Sequence, residues 1–395
     1  MITARATTTN SVIAWNTIIR SHVRLGDHET ALSVYLRMIR AAHLPDSYTL
    51  PLALKASAAL YDSSFSRQLH STASKLGLAS HEFVESALIS SYAKLGHLDF
   101  ASQLFDENPR PRLGSFNALI SGFAQVGRSK DAILTFVRLV NRGLTPDDVT
   151  MVSVASACGG LGDLDLASQA HSQIHKWVIP LRPTTYLSNS LVDMYSKCGR
   201  TDLARRVFDE TMNRDVSTWS TMIMGLATHG EAAHALEMFE EMRFRGVAPN
   251  RVTLIGVLLA CAHAGMVEEG RRHFEAMERE YGVARAPQHY GILIDMYGRA
   301  VRIREGGEVA GEAVEAGAVD AVVLGSLMGA CEKHGEVAVG EWVAARMEEV
   351  EPGNDGIYVA MSNINAKAGM WGEVERLRRW MRGRRVSKVP GCSLS

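Results

Sequence analysis

The sequence is short of apolar runs, of cysteine pairs, of net charge and of proline, and each shortage excludes something. The largest apolar stretch, Leu254 to Ala262, falls far below the roughly 20 residues a membrane span needs, so no transmembrane helix is expected. The five cysteines, Cys158, Cys198, Cys261, Cys331 and Cys392, are odd in number and form no Cys-x-x-Cys. Neither a disulfide framework nor a zinc site is expected from them, and they read as small buried thiols. The net charge is −1 and the isoelectric point is near 6.9, so the chain as a whole does not attract a polyanion. Any nucleic-acid binding would have to come from local charge and base contacts. Proline supplies 11 of 395 residues and aromatics 7%, which suits a mostly helical chain.

A chain of this length ordinarily suggests two or three globular domains, unless it repeats. It does repeat. Glycine recurs at positions 26, 96, 127, 162, 199, 230, 265 and 335, with gaps of 70, 31, 35, 37, 31, 35 and 70. Each gap of 70 is two repeats of about 35 with one glycine missing, and the missing positions are Tyr61 and Val301. A second register agrees with the first. Five residues beyond each of these ten positions stands a small residue: Ala31, Ser66, Ala101, Ala132, Ala167, Ala204, Ala235, Gly270, Gly306 and Gly340. One small residue per repeat lets a neighbouring helix approach closely.

Each repeat reads as two helices. Trp15, Ile18, Ile19 and Val23 form one helical stripe, and Ala31, Leu32, Tyr35 and Met38 form a second after Gly26. The repeat closes at Leu44-Pro45-Asp46, and the closure recurs at Thr145-Pro146-Asp147 and Ala248-Pro249-Asn250. A single hairpin of this kind cannot bury its own apolar faces. The expected fold is therefore all-α: a right-handed α-solenoid of tandem helix–turn–helix repeats, about ten helix pairs sharing one core. Smaller signals dissolve in this register. Gly159-Gly160-Leu161-Gly162 looks like a phosphate loop, but no strand precedes it and Gly162 belongs to the repeat. His70 and His171 occupy the position filled by Phe105, Phe136, Phe208, Phe239 and Phe274 in other repeats, and read as core or interface histidines rather than metal ligands.

The endings of the repeats separate one helical-repeat class from another. Ala14-Trp15-Asn16-Thr17-Ile18-Ile19, Ser115-Phe116-Asn117-Ala118-Leu119-Ile120 and Thr218-Trp219-Ser220-Thr221-Met222-Ile223 open 35-residue repeats. Asn189 to Gly199, followed by Ala204-Arg205-Arg206-Val207-Phe208-Asp209, marks a short one. With these motifs the chain resembles the pentatricopeptide repeat family, in the plant type that alternates repeats of about 35, 35–37 and 31 residues. The resemblance runs from Val12 to Cys392. Its tail, Asp320 to Gly335 and Tyr358 to Ser393, resembles the extension motifs of that class and carries no deaminase domain. The implied organisation is a tail or remnant of a targeting peptide over 1–11, a repeat array over 12–319, and a degenerate repeat-like extension over 320–395. The tail has one Arg, four Thr and no acid, the flavour of a transit peptide.

The resemblance implies one nucleotide read per repeat of single-stranded RNA. By position it assigns Asn16 with Asp46, Asn117 with Asp147, and Asn189 with Asp215 to uridine, and Ser220 with Asn250 to adenosine. The strand would run U-n-n-U-n-U-A from 5′ to 3′. Pro51 and Val152 lack amides, and Ser86 is paired with Arg112 where the family usually has Asp. The competing reading is that these residues merely cap helices.

The resemblance also implies a role in organellar C-to-U RNA editing, in the mitochondrion ahead of the chloroplast, with deaminase or editing-complex partners engaging 320–395. No cofactor, metal or catalytic residue is expected in the chain itself. A zinc deaminase needs His-x-Glu followed by Cys-x-x-Cys, and His229-Gly230-Glu231 and His334-Gly335-Glu336 are followed by none. The basic run of Arg376, Arg378, Arg379, Arg382, Arg384 and Arg385 could meet RNA or a partner, or be a solvated face. The other readings that remain open are an RNA splicing, processing or stability factor, a protein-binding scaffold, a hydrolytic enzyme, and a degenerate relative with no target.

Overall fold

The computed structural model describes residues 11–177 and 184–383. Most of the N-terminal tail, Cys392 and the arginines at 384 and 385 lie outside the described residues. Within them the chain forms twenty-two α-helices and no strand. The odd-numbered helices are α1 (Val12–Leu25), α3 (Thr49–Ala59), α5 (Glu82–Lys94), α7 (Leu113–Gln125), α9 (Asp148–Leu161), α11 (Thr185–Lys197), α13 (Val216–Thr228), α15 (Arg251–Ala264), α17 (Pro287–Arg299), α19 (Ala321–His334) and α21 (Gly356–Lys367). The even-numbered ones are α2 (His28–Arg40), α4 (Ser63–Lys75), α6 (Leu98–Glu107), α8 (Ser129–Asn141), α10 (Leu164–Trp177), α12 (Thr201–Glu210), α14 (Ala232–Phe244), α16 (Val267–Arg279), α18 (Ile303–Glu315), α20 (Val337–Val350) and α22 (Trp371–Gly383). None of the described helices is long and apolar enough to cross a membrane.

The helices gather into two compact halves, residues 1–200 and 201–395. In the first, α1 packs on α3, α3 on α5, α5 on α7, α7 on α9 and α9 on α11; in the second, α13 packs on α15 and so on to α21. Even helices pack chiefly against the odd helices of their own and the following hairpin. Each half is thus a stack of helical hairpins whose odd helices form one continuous layer.

The two registers of the sequence are the two contacts that make this stack. All eight recurring glycines sit in the left-handed region, with φ between 66° and 82°. The two positions where glycine is missing adopt the same conformation: Tyr61 has φ 55° and Val301 has φ 62°. The hairpin imposes its backbone even on residues whose Cβ resists it. The ten small residues are all buried. A Cβ added to Gly270 would lie 2.5 Å from Met296 Cε, and one added to Gly340 would lie 2.9 Å from Ile364 Cδ1. Twenty-two helices make eleven alternating pairs against about ten expected. The additional hairpin turns at Gly369, φ 76°, beyond the last glycine of the sequence register. In α1, Trp15, Ile19 and Val23 are core, whereas Ile18 is more than a third exposed and does not belong to the buried stripe.

Candidate nucleic-acid interface

Every helix start in the odd layer has N–H groups to satisfy, and at α3, α9, α13 and α15 the closing residues assigned to base reading do it. Asp147 accepts from the Thr150 N–H at 2.9 Å while the Thr150 hydroxyl accepts from the Asp147 N–H at 3.2 Å, a reciprocal capping box on α9. Asn250 and Thr253 repeat that box on α15. Asp46 accepts from the N–H groups of Tyr48 and Thr49 at 3.0 and 2.8 Å ahead of α3. Asp215 caps α13 through the Thr218 N–H at 2.9 Å.

The partner on the preceding odd helix reaches the same cap. The Asn16 amide nitrogen donates to both oxygens of Asp46 at 3.1 and 3.3 Å, and its oxygen accepts from the Thr49 hydroxyl at 2.6 Å. Asn117, Asp147 and Thr150 reproduce the triad at 3.0, 3.2 and 2.6 Å. Ser220 is shorter and bonds the Thr253 hydroxyl at 2.7 Å, leaving Asn250 Oδ1 at 3.5 Å. The assigned partners therefore meet in three cases: Asn16 with Asp46, Asn117 with Asp147, and Ser220 with Asn250. Asn189 lies on α11 in the first half, and Asp215 caps α13 in the second. Asn189 Oδ1 is buried with no hydrogen-bond partner.

Capping decides which atom is left over. The Oδ1 of Asp46 is occupied by Tyr48, Thr49 and Asn16, whereas Oδ2 receives only Asn16. Burial pushes the Asp46 carboxyl up, but the hydrogen bonds from Thr49, Asn16 and Tyr48 outweigh it and hold the group below its ordinary value. It is ionised and acceptor-only at neutral pH. In Asn250 the cap needs an acceptor, so Oδ1 faces Thr253 and Nδ2 is the remaining atom, with no partner among the described residues. An Asp cap thus presents an acceptor and an Asn cap a donor.

Two features escaped the sequence reading. The first is the threonine three residues after each closing residue: Thr49, Thr150, Thr218 and Thr253. The spacing Asp/Asn-x-x-Thr was there to be read as a capping motif. The second is a recurring exposed apolar position near the start of odd helices, three residues before Asn16 and Asn189 among the assigned readers and on the same helix face. Ile13, Tyr48, Phe83, Val149 and Tyr186 hold it in the first half, and Val252 and Val322 in the second, all between 46% and 80% exposed. Scattered exposed apolar residues are ordinary; one recurring at a fixed register position is a ladder of flat contacts. Gly114 and Ser217, three residues before Asn117 and Ser220, interrupt it, and a Cβ at Gly114 would sit 3.6 Å from that of Ser86.

The remaining candidates resolve as structure. His229-Gly230-Glu231 and His334-Gly335-Glu336 are hairpin turns, and Glu231 is bonded to the Thr201 hydroxyl and His234. His70 and His171 bond the Tyr92 and Tyr195 hydroxyls at 3.0 and 2.9 Å across the helix interface. No group of three or more potential metal ligands occurs among the described residues. Cys158, Cys261 and Cys331 are buried, with thiols pushed up by burial to about 12, 12 and 11; Cys198 is half-buried. On α22, Arg376 and Arg379 are paired to Glu373 and Glu375 of the same helix, and Arg378 reaches Ser362.

Models of the PPR repeat match residues 13–41, 86–107, 114–144 and 186–216, a PPR repeat family model matches 214–263, and an E motif matches 334–394. The mitochondrial pentatricopeptide repeat-containing protein At1g77170 of Arabidopsis thaliana is 45% identical over 379 residues, covering 96% of this chain and 81% of that protein. The chloroplastic At1g08070 of the same plant is 36% identical, covering 90% of this chain and 48% of that protein. Several longer relatives are therefore spanned over only about half to three fifths of their length. Among solved structures, maize PPR10 superposes with a TM-score of 0.66 at 16% identity, over 94% of this chain and 60% of that one. Its complex with an 18-nt psaJ RNA element gives 0.65 at 16% identity, over 92% and 59%. The repeat registers, the matched motifs and the similarity to At1g77170 over nearly all of this chain agree: this chain belongs to the pentatricopeptide repeat family, with the α-solenoid fold of that family and an E motif after its repeats.

Proposed function

We propose that the chain is a sequence-specific single-stranded RNA-binding protein of a plant organelle. The observation that carries this is the atom each cap leaves over. Uridine offers an N3–H donor between two carbonyls, which suits the acceptor of an Asp cap; adenine offers the N1 acceptor, which suits the donor of an Asn cap. Asn16/Asp46 and Asn117/Asp147 accordingly take U, and Ser220/Asn250 takes A; for Asn189 and Asp215 the assignment of U rests on the family resemblance alone. Beside Asn16 and Asn189 the exposed apolar residue three positions earlier, Ile13 or Tyr186, supplies a face against which a base can lie. PPR10 has been captured with an RNA element, and relatives are named mitochondrial or chloroplastic, which supports the substrate class and the compartment.

The finer role we assign is target recognition in C-to-U editing, with the repeats over 12–319 holding the RNA and 320–395 engaging a deaminase supplied in trans. The E motif at 334–394 favours this over splicing or RNA stabilisation. The chain's own His-x-Glu strings are consumed by hairpin turns, so the hydroxide that attacks C4 of cytidine would be generated by the partner's zinc. Zinc-dependent cytidine deamination by the purified chain would refute that division of labour.

The base assignment is tested by a swap. Changing Ser220→Asn together with Asn250→Asp should move preference at one nucleotide from A to U, by roughly 1–3 kcal/mol if the contact resembles a good bidentate pair. Unchanged base preference would overturn the reading, since both Asn and Asp cap the helix equally well.

A further inference from the structure

The residue immediately before each base-reading position packs inward. In four repeats of the first half it is Trp15, Leu50, Phe116 or Met151, each a buried apolar side chain. In the third repeat Glu85 holds that place, and it is only 3% exposed. A carboxylate buried without a cation is costly, and such a group is stable where it is hydrogen-bonded and gives up its charge. The Glu85 Oε2 accepts from the Asn108 amide nitrogen at 2.7 Å, and the buried Ser115 hydroxyl faces the same carboxyl. Asn108 closes α6, and its own Oδ1 accepts from the Arg110 N–H at 2.9 Å, which pins the linker into α7. Ser115 stands in the first turn of α7. One carboxyl therefore ties together α5, the end of α6 and the start of α7.

We propose that Glu85 is a proton-operated latch between the third and fourth hairpins: neutral, it holds α5, the linker and α7 together, and its ionisation loosens that joint. The inference does not depend on what the repeats bind. The hydrogen bonds suit a group that gains and loses a proton in place. The Asn108 amide donates to either form, and the Ser115 hydroxyl can rotate to donate to a carboxylate or accept from a carboxylic acid. Two donors do not replace the water around a full charge, so the ionised form draws solvent into the joint. Burial is the largest influence on the carboxyl and pushes it up, against the hydrogen bonds from Asn108 and Ser115. No neighbouring charge offsets the burial. On the helices packed against α5, α7 has no titratable residue, α3 has Lys55, α4 has Arg67, His70 and Lys75, and α6 has Asp99, Asp106 and Glu107. The linker adds Arg110 and Arg112, and α5 with its cap adds His81, Glu82, Tyr92 and Lys94. His70 is bonded to the Tyr92 hydroxyl at 3.0 Å and Glu82 to Arg112 at 3.3 Å, and none of these groups perturbs Glu85. The folded joint thus keeps a proton that the unfolded chain has released. Its contribution to stability is complete below the ordinary value of about 4.3 and is lost as the pH rises through the raised folded value.

The test is hydrogen exchange of the α5, α6 and α7 amides in the full chain across the carboxyl range, roughly pH 4.5 to 8, with each rate corrected for its intrinsic dependence on pH. Where the folded joint holds the proton and the open one does not, opening of the wild type should become about tenfold more frequent per pH unit. Glu85→Gln keeps the shape and loses the titrating proton. It should abolish that dependence and be better protected than the wild type at the alkaline end. Glu85→Met, apolar and of similar length, should abolish it as well, which keeps the test decisive if the glutamine variant folds poorly. Glu82→Gln, on the exposed carboxylate of the same turn, should retain the wild-type dependence. Carbon-13 NMR of labelled glutamate, read as the difference between the wild type and either Glu85 variant, should show one carboxyl titrating above its ordinary range. A Glu85 carboxyl that titrates at or below about 4.3, wild-type protection independent of pH, or an unchanged dependence in both Glu85 variants would overturn the proposal. So would weaker protection of Glu85→Gln than of the wild type at the alkaline end, because the joint would then need the charge.

Discussion

Val301 offers a test of whether the hairpin backbone or the side chain dictates its conformation. It stands where eight other repeats have glycine, with φ 62°, and it is β-branched. An L-residue in the left-handed region costs roughly 1–2 kcal/mol, and a β-branched one is a genuine outlier there. Its side chain is 63% exposed, so shortening it loses little burial. Val301→Ala discards the methyls but keeps the Cβ and most of the strain. Val301→Gly removes the strain and gives back about 0.5–1 kcal/mol through the greater freedom of the unfolded chain. The glycine variant should therefore match or exceed the wild type, and exceed the alanine variant by about 0.5–1 kcal/mol. Val126 is the control. It is half exposed and precedes a repeat glycine, but its φ is −96°, so alanine should beat glycine there by up to about 1 kcal/mol. Stacked repeats open locally, so the measurement is hydrogen exchange of the α17 and α18 amides, supported by urea unfolding. If alanine is better than glycine at both positions, the strain argument is wrong.

Replacing Thr150 with Val should cost about 1–2 kcal/mol of stability and blunt U discrimination at the nucleotide facing Asn117 and Asp147, because Asn117 Oδ1 loses its 2.6 Å donor; discrimination elsewhere should hold, as competition binding with single-base variants would show. His289 is buried, accepts the Ala286 N–H on Nδ1 at 3.0 Å and meets the Arg251 carbonyl through Nε2 at 3.1 Å, so it is neutral with the proton on Nε2. Burial lowers its pKa; its contribution to stability is therefore complete above the ordinary value of about 6.5 and declines as the pH falls from there through the lowered folded value. Urea midpoints should fall between pH 7.5 and 5.5, and His289→Gln should reduce that slope; an unchanged slope would clear His289 of the effect.

The hairpin architecture was legible in the sequence because it rests on two steric demands that few residue types meet. A left-handed turn asks for glycine, and a close helix approach asks for Ala, Ser or Gly. The places where the first demand is met by Tyr61 and Val301 were legible too, because the spacing held across them. Ile18 was misplaced because a helical stripe is about a hundred degrees wide and sequence does not mark its edge. The exposed ladder was invisible for a related reason. Ile13, Tyr48 and Phe83 look like core residues until the helix is packed, and only their exposure shows that the layer leaves them uncovered.

Capping and base reading stand as rivals when only the sequence is considered, since Asp and Asn are good at both. The geometry makes them one device. A helix start demands an acceptor, and either residue supplies it through Oδ1, so the cap holds the side chain in a fixed rotamer whichever residue is present. What differs is the atom that the cap does not use, an oxygen in Asp46 and a nitrogen in Asn250. A threonine three residues on and an amide or hydroxyl from the preceding helix lock that choice. It follows that a closing residue unable to cap should also read poorly. Arg112 shows the consequence: it makes no cap on α7, its guanidinium lies 3.3 Å from Glu82, and the buried Ser115 hydroxyl that would complete the box faces the Glu85 carboxyl instead. Changing Arg112 to Asp should cap α7 through the Ser115 N–H and raise stability by about 1 kcal/mol. With Ser86→Asn it should also create a new preference for U at the third nucleotide. Gain of the cap without any gain of base preference would separate the two functions that the geometry joins.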